Sequence, residues 1–204
     1  MRIVTANELQ NWLSQGELLE KDSHGPKVVR LASGELLKIF RSRRHPLIAR
    51  LRPDAQRFAE QGRQLQERGI HTPQILECCW IDRKKAVSAC LYQPLDGVAL
   101  DSLFKGSRAQ FDGLLPELAG YILRLHQRGI YFRSLHLGNV LRTPDQDFGL
   151  IDFLDIRFKK RPLRSMLVKR NFQHLRNYLQ RRNIHNFPWD ELLHAYDEAS
   201  KSPS

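Results

Sequence analysis

Residues 130–141, Ile-Tyr-Phe-Arg-Ser-Leu-His-Leu-Gly-Asn-Val-Leu, and residues 149–153, Gly-Leu-Ile-Asp-Phe, decide how this chain folds. Short apolar, β-prone runs around Val140-Leu-Arg and Phe148-Gly-Leu-Ile flank Thr143-Pro-Asp-Gln-Asp147, a stretch of turn-forming residues. The pattern predicts a tight hairpin. Asn139 precedes its first strand and Asp152 follows its second, 13 residues later, so closing the turn brings both to the open end. A carboxamide and a carboxylate on neighbouring strand ends are hard oxygen donors suited to a divalent cation.

Asn139 also lies five residues after Ser134. That is the spacing between the base and the metal-binding asparagine in H-R-D-x-x-x-x-N, the catalytic loop of protein kinases. The segment Phe132-Arg-Ser-Leu-His-Leu-Gly-Asn-Val-Leu141, followed by Leu150-Ile-Asp-Phe153, resembles the catalytic and metal-binding loops of the eukaryotic-like kinase superfamily. His136-Leu-Gly-Asn139 is similar to the loop H-G-D-x-H-x-x-N of its small bacterial sugar and aminoglycoside kinases. The short, basic chain and the turn from Arg68 to Pro73 are similar to the lipopolysaccharide core kinases acting on Kdo or heptose. The resemblance covers roughly residues 25 to 180 and implies ATP and Mg2+ as cofactors, with Asn139 and Asp152 as metal ligands. Asp147-Phe148-Gly149 spells the superfamily's metal-binding triplet literally, but its aspartate falls in the polar turn, whereas Asp152 ends an apolar strand.

Upstream, the pattern is strand-rich. Residues 5 to 20 predict a helix opened by a Thr5/Glu8 capping box. Lys27 to Phe40 predict a hairpin turning at Ser33-Gly34, and residues 54–68 a helix closed by Gly69. Residues 74–81 and 86–95 predict a second antiparallel pair across Asp82-Arg-Lys-Lys85. Lys38, inside the apolar run Leu36-Leu-Lys-Ile-Phe40, resembles the lysine of V-A-I-K that contacts the α- and β-phosphates. On its local sequence alone it reads equally as a strand-edge lysine facing water. Glu60 is the acidic residue of the following helix that would pair with it. Downstream, residues 99–104 and 114–128 predict helices, the second closed by Gly129, and two more are expected around Phe172–Leu179 and Trp189–Ala195. The expected class is α+β, a two-lobed protein-kinase-like fold with a strand-rich N-lobe over 1–94 and a helical C-lobe over 95–204.

Two departures bear on chemistry. No G-x-G-x-x-G precedes Lys38; Ser23-His-Gly-Pro26 offers one glycine. Ser134 stands where the resemblance expects the catalytic aspartate, and a hydroxyl does not accept a proton at neutral pH as a carboxylate does. Arg133 keeps the arginine of H-R-D, and Phe132 replaces its histidine. His136 is a substitute base or a structural histidine, and Asp155 is a further carboxylate near the same strand end.

Thirty-three Lys and Arg against 22 Asp and Glu leave a net charge of +11 and call for an anionic partner. Basic runs Arg41–Arg44 and Lys159–Arg164 suit a nucleotide, an anionic glycolipid or sugar acceptor, or an anionic membrane surface. Nucleic acid fits less well, because no nucleic-acid-binding motif accompanies them. Three cysteines, two of them adjacent, predict no disulfide and a reducing, cytoplasmic setting. The amino terminus has no signal-peptide run, and no segment approaches the ~18 apolar residues of a membrane span, so a soluble or inner-membrane-peripheral protein is expected. Three functions compete: a kinase of a lipopolysaccharide-core sugar hydroxyl, a pseudokinase or nucleotide-binding scaffold, and a small protein kinase.

Overall fold

The structure, a computed structural model, describes residues 1–201; the last three residues of the polar tail lie outside the described residues. The chain divides into two compact units, Met1–Leu95 and Asp96–Ser204, each mixing helices with strands.

In the first unit, α1 (Ala6–Gln15) is capped by Thr5, whose hydroxyl accepts from the Glu8 amide at 3.2 Å. The helix ends at Gln15, five residues short of the predicted end at 20, with Gly16 as its C-cap. A Cβ at Gly16 would sit 2.4 Å from Val29 and 2.6 Å from the Trp12 carbonyl, so only glycine lets the chain turn there into an edge strand. That strand, β1 (Glu17–Asp22), pairs with β2 (Gly25–Arg30), and β2 pairs with β3 (Leu36–Arg41). After two helices, α2 (Pro46–Leu51) and α3 (Asp54–Gln66), come β4 (Gln74–Asp82) and β5 (Val87–Gln93). The five strands form one antiparallel sheet, ordered β1-β2-β3-β5-β4. The predicted hairpin at Ser33-Gly34 is present, with Gly34 at φ +93°, and α3 closes at Gly69, φ +63°. The short helix α2 was not predicted; proline at its start and three arginines within and beside it mask any periodicity.

The sheet core is Val4, Val29, Leu37, Ile39, Cys79 and Ala89, with Leu9, Trp12 and Leu13 of α1 packed on it. All three thiols are free, and Cys78 lies opposite Cys90 in the β4/β5 register, their sulfurs 3.9 Å apart.

The second unit opens with β6 (Val98–Ala99), α4 (Leu100–Gly106), α5 (Arg108–Gly113) and α6 (Leu115–Gln127). Helix α6 stops at Gly129, φ +69°, where a Cβ would fall 2.5 Å from the Lys159 carbonyl. Then come β7 (Ile130–Phe132), a single 3-10 turn at Leu137–Asn139, β8 (Val140–Arg142), β9 (Phe148–Leu150) and β10 (Ile156–Phe158). Strands β8 and β9 make the predicted hairpin, Val140 opposite Leu150 and Arg142 opposite Phe148, with β6 on its outer edge. A second small ladder pairs β7 with β10, Phe132 opposite Ile156. Helices α7 (Ser165–Arg181) and α8 (Trp189–Lys201) complete the unit. Among the described residues, no helix is long and apolar enough to cross a membrane.

Candidate functional site

The two small ladders of the second unit assemble the site. At the open end of the β8/β9 hairpin the Ile151 amide donates to the Asn139 carbonyl at 3.0 Å, which places Asp152 one residue beyond Asn139's backbone partner. Asp152 is exposed and holds φ +51°, a left-handed conformation that costs a non-glycine residue about 1–3 kcal/mol. Strain of this kind persists where the surroundings impose it and is enriched at functional sites. Asn139 is buried, and its amide nitrogen donates to the Ser134 carbonyl at 3.1 Å. Its amide oxygen has no donor among the described residues, as a metal ligand requires.

Asp147 belongs to the opposite, closed end. The Thr143 amide donates to its carbonyl at 3.0 Å to close the turn, and Arg124 of α6 pairs with its carboxylate. The sequence-based choice of Asp152 over Asp147 rested on strand context, and the hairpin separates the two by its own length.

The β7/β10 ladder supplies the second half of the site. Because Phe132 lies opposite Ile156, Ser134 and Asp155 emerge together from the ladder's end. The Ser134 hydroxyl donates to Asp155 Oδ2 at 2.7 Å. The other oxygen, Oδ1, is buried without a hydrogen-bond partner. Burial pushes the Asp155 carboxyl above the usual aspartate value, with Asp152 adding to the rise, while the Ser134 bonds and Arg133 oppose it. The sequence offered Asp155 only as a neighbouring carboxylate; its partnership with Ser134 depends on the register of two three-residue strands.

His136 lies flat on Tyr178 of α7, ring centroids 4.0 Å apart and planes within 4°. Burial lowers its pKa, opposed by the charge of Asp152, and its Nδ1 is buried without a partner. A stacked, largely neutral imidazole fits a structural role more closely than that of a mobile base. Arg133 is exposed beside Asp155.

The backbone ahead of Ser134 is clamped from two helices. Asn171 of α7 donates to the Phe132 carbonyl at 2.5 Å and accepts from His126 Nε2 of α6 at 3.0 Å; His126 Nδ1 then accepts from the Tyr196 hydroxyl of α8 at 2.8 Å. All of Asn171's polar capacity toward Phe132 is used as a donor, so its oxygen must take the His126 proton, which fixes the histidine tautomer. None of these residues has a sequence signal of its own.

In the first unit Lys38 is only 6% exposed, in the middle strand of the sheet. The alternative of a strand-edge lysine facing water is thereby excluded. Its ammonium stands 5.4 Å from the ring centroid of Phe58 on α3 and 5.9 Å from that of Phe40. Glu60 does not fill its expected role: its carboxylate takes a 2.6 Å ion pair from Arg52. The reason is helical phase, since the buried stripe of α3 runs through Ala55, Phe58, Gly62 and Leu65, and Glu60 falls to its side. The turn at Ser23-His-Gly-Pro26 joins β1 to β2, with the His24 amide donating to Asp22 at 2.7 Å and Gly25 at φ +111°. The basic run 41–44 is partly structural: Arg41 reaches Asp22 and the Pro26 carbonyl, and Arg44 pairs with Asp54 at 2.8 Å. The run 159–164 is exposed apart from half-buried Leu163 and is fastened by the Lys159 amide to the Gly129 carbonyl at 2.8 Å and by the Leu163 amide to the His126 carbonyl at 2.9 Å.

Asn139 and Asp152 fit a magnesium ion completed by water and phosphate oxygens, which needs few protein ligands. No group of three His, Cys, Asp or Glu side chains that could hold a metal ion occurs among the described residues.

No family model matches the sequence, and no curated protein matches it. Among solved structures, the fold is similar to that of WbdD, described as a bifunctional kinase-methyltransferase. Two of its crystal structures superpose at a TM-score of 0.52 with 14% and 15% identity over 87% of this chain. The chain spans 43% of the length of those proteins. At that identity the likeness is one of fold, a mixed arrangement of helices and strands shared with part of a kinase-bearing chain.

Proposed function

We propose that this protein is an ATP- and magnesium-dependent phosphotransferase, its two compact units being the lobes of a protein-kinase-like fold. The acceptor in this reading is a hydroxyl of an anionic sugar, of the kind found in a lipopolysaccharide core intermediate. The observation that carries the reading is the meeting of two ladder ends: Asn139 and Asp152 on one, Ser134 and Asp155 on the other. Phosphoryl transfer asks for a metal site, a phosphate-binding cation and a group that orients the attacking hydroxyl. Asn139 and Asp152 would hold the metal, which when bound neutralises phosphate charge; for Lys38 of the first unit the resemblance implies the role of phosphate-binding cation.

Asp155 resolves the difficulty raised by Ser134. It puts a carboxylate one 2.7 Å hydrogen bond from the position where the resemblance expects one. A substrate hydroxyl donating to Ser134 Oγ would pass its proton along that bond to Asp155. The elevated affinity of Asp155 for a proton favours that direction. The basic run 159–164, fastened through Gly129 to the other end of the three-residue β7/β10 ladder, would supply cations for an anionic acceptor.

The scaffold reading keeps one observation in its favour: the ion pair of Glu60 with Arg52 rather than Lys38. Transfer of labelled phosphate from ATP to a lipopolysaccharide-core acceptor separates the two. A working kinase loses transfer altogether in Asp152→Asn and loses about 10²–10⁴-fold in Asp155→Asn, the range general-base catalysis supplies. His136→Phe, which keeps the stack on Tyr178, should retain most of the rate. A protein that binds magnesium-ATP but transfers nothing to any sugar or protein acceptor is a scaffold. Calorimetry in which Asp147→Ala abolishes nucleotide binding and Asp152→Ala does not would overturn the site itself.

A further inference from the structure

Helix α2 presents its apolar side chains outward. Its buried residue, Ala49, packs with Trp80 and Ala86, whereas Leu47, Ile48 and Leu51 are 58%, 54% and 86% exposed. Leu47 and Leu51 are one turn apart on the same face, and Ile48 adjoins them. Such a cluster in a single short helix is not the scatter of isolated apolar residues that every surface carries.

Its surroundings are cationic. Residues 41–53 include five arginines and no acidic residue. Arg41, Arg44 and Arg52 are engaged by Asp22, Asp54 and Glu60. Arg43 and Arg50 are exposed, with no acidic partner among the described residues. Three side chains cover far less than the ~800 Å² per partner of a stable protein interface. A bilayer makes no such demand, since it accepts a few apolar side chains below the headgroups while arginines reach the lipid phosphates.

We propose that α2 is a membrane-docking element: Leu47, Ile48 and Leu51 enter the headgroup boundary of an anionic phospholipid bilayer, and Arg43 and Arg50 bind its phosphates. The inference rests on the surface of the first unit alone and is independent of the phosphotransferase reading.

Co-sedimentation of the full chain with phosphatidylglycerol/phosphatidylcholine vesicles, and with phosphatidylcholine vesicles alone, tests it. The wild type should partition onto the anionic vesicles, weakly onto the neutral ones, and less as salt is raised. Leu47→Ser/Ile48→Ser/Leu51→Ser should lose at least about tenfold in partitioning, and Arg43→Gln and Arg50→Gln about fivefold each. All five side chains are exposed, and unchanged circular dichroism would verify that the variants fold. Full binding by the triple-serine variant would overturn the proposal, as would a wild type that ignores anionic vesicles. A triple variant that changes oligomeric state in sedimentation while keeping its vesicle affinity would assign the patch to protein contact and refute membrane docking.

Discussion

Asn171→Ala removes the link between the site loop and helices α6 and α7. In the native chain the Asn171 amide donates to the Phe132 carbonyl at 2.5 Å and accepts from His126 Nε2 at 3.0 Å. Both Asn171 and His126 are buried, so truncation leaves an imidazole N–H without a partner and with no access to water, and takes from the Phe132 carbonyl its shorter hydrogen bond, leaving only that from the Leu135 amide at 3.2 Å. The orphaned N–H costs about 1–3 kcal/mol and the lost bond to the carbonyl about 0.5–1.5 kcal/mol, giving roughly 3 kcal/mol in total. At about 2–4 °C per kcal/mol for a chain of this size, the melting temperature should fall by around 10 °C. Hydrogen exchange at the amides of residues 133–135 should accelerate, since the Phe132 carbonyl is their anchor. Asn171→Asp sharpens the test. It keeps the acceptor for His126 but turns a carboxylate oxygen toward the Phe132 carbonyl, and burial plus that repulsion raise the introduced carboxyl's pKa above its unfolded value of about 3.9. A raised pKa contributes stability that is present below the unfolded value and lost as pH rises through the folded one, so this variant should be least impaired in acid and most impaired at neutral pH. Thermal melts across pH, with urea titrations as a check, read both effects. A loss below about 2 °C for Asn171→Ala would refute the clamp.

Gly129→Ala combines a left-handed φ with a Cβ 2.5 Å from the Lys159 carbonyl and 2.8 Å from that of Arg161, so it should cost roughly 2–4 kcal/mol and loosen the basic run; limited proteolysis around residues 159–164 would register the loosening. His126 should stay neutral below the ordinary histidine range, because burial lowers its pKa against the smaller opposing effect of Asn171. A lowered pKa means stability is complete above the unfolded value of about 6.5 and declines as pH falls from there toward the folded pKa. Ring resonances of His126 titrating at or above about pH 6.5 would contradict that assignment.

What the sequence determined by itself is local. The β8/β9 hairpin follows from five turn-forming residues between two apolar runs, and with it the place of Asn139 and Asp152 beyond its open end and of Asp147 at its closed end. The Ser33-Gly34 hairpin, the cap at Thr5 and the helix stops at Gly69 and Gly129 are legible for the same reason: each rests on backbone conformations available to few residue types. Gly16 shows where this kind of reading fails. The glycine occupies an extended conformation open to any residue and is required by the closeness of Val29, thirteen positions away, so the helix appeared longer than it is. The tertiary structure alone decided the partners of charged and buried polar groups. Asp155 meets Ser134 through strand register, Glu60 turns to Arg52 through helical phase, and Asn171 reaches Phe132 from a helix 39 residues away while holding His126, 45 residues before it. A hydrogen bond or ion pair acts over a few ångströms with a definite direction, and those distances are set by packing between elements, which leaves no periodic trace in the chain.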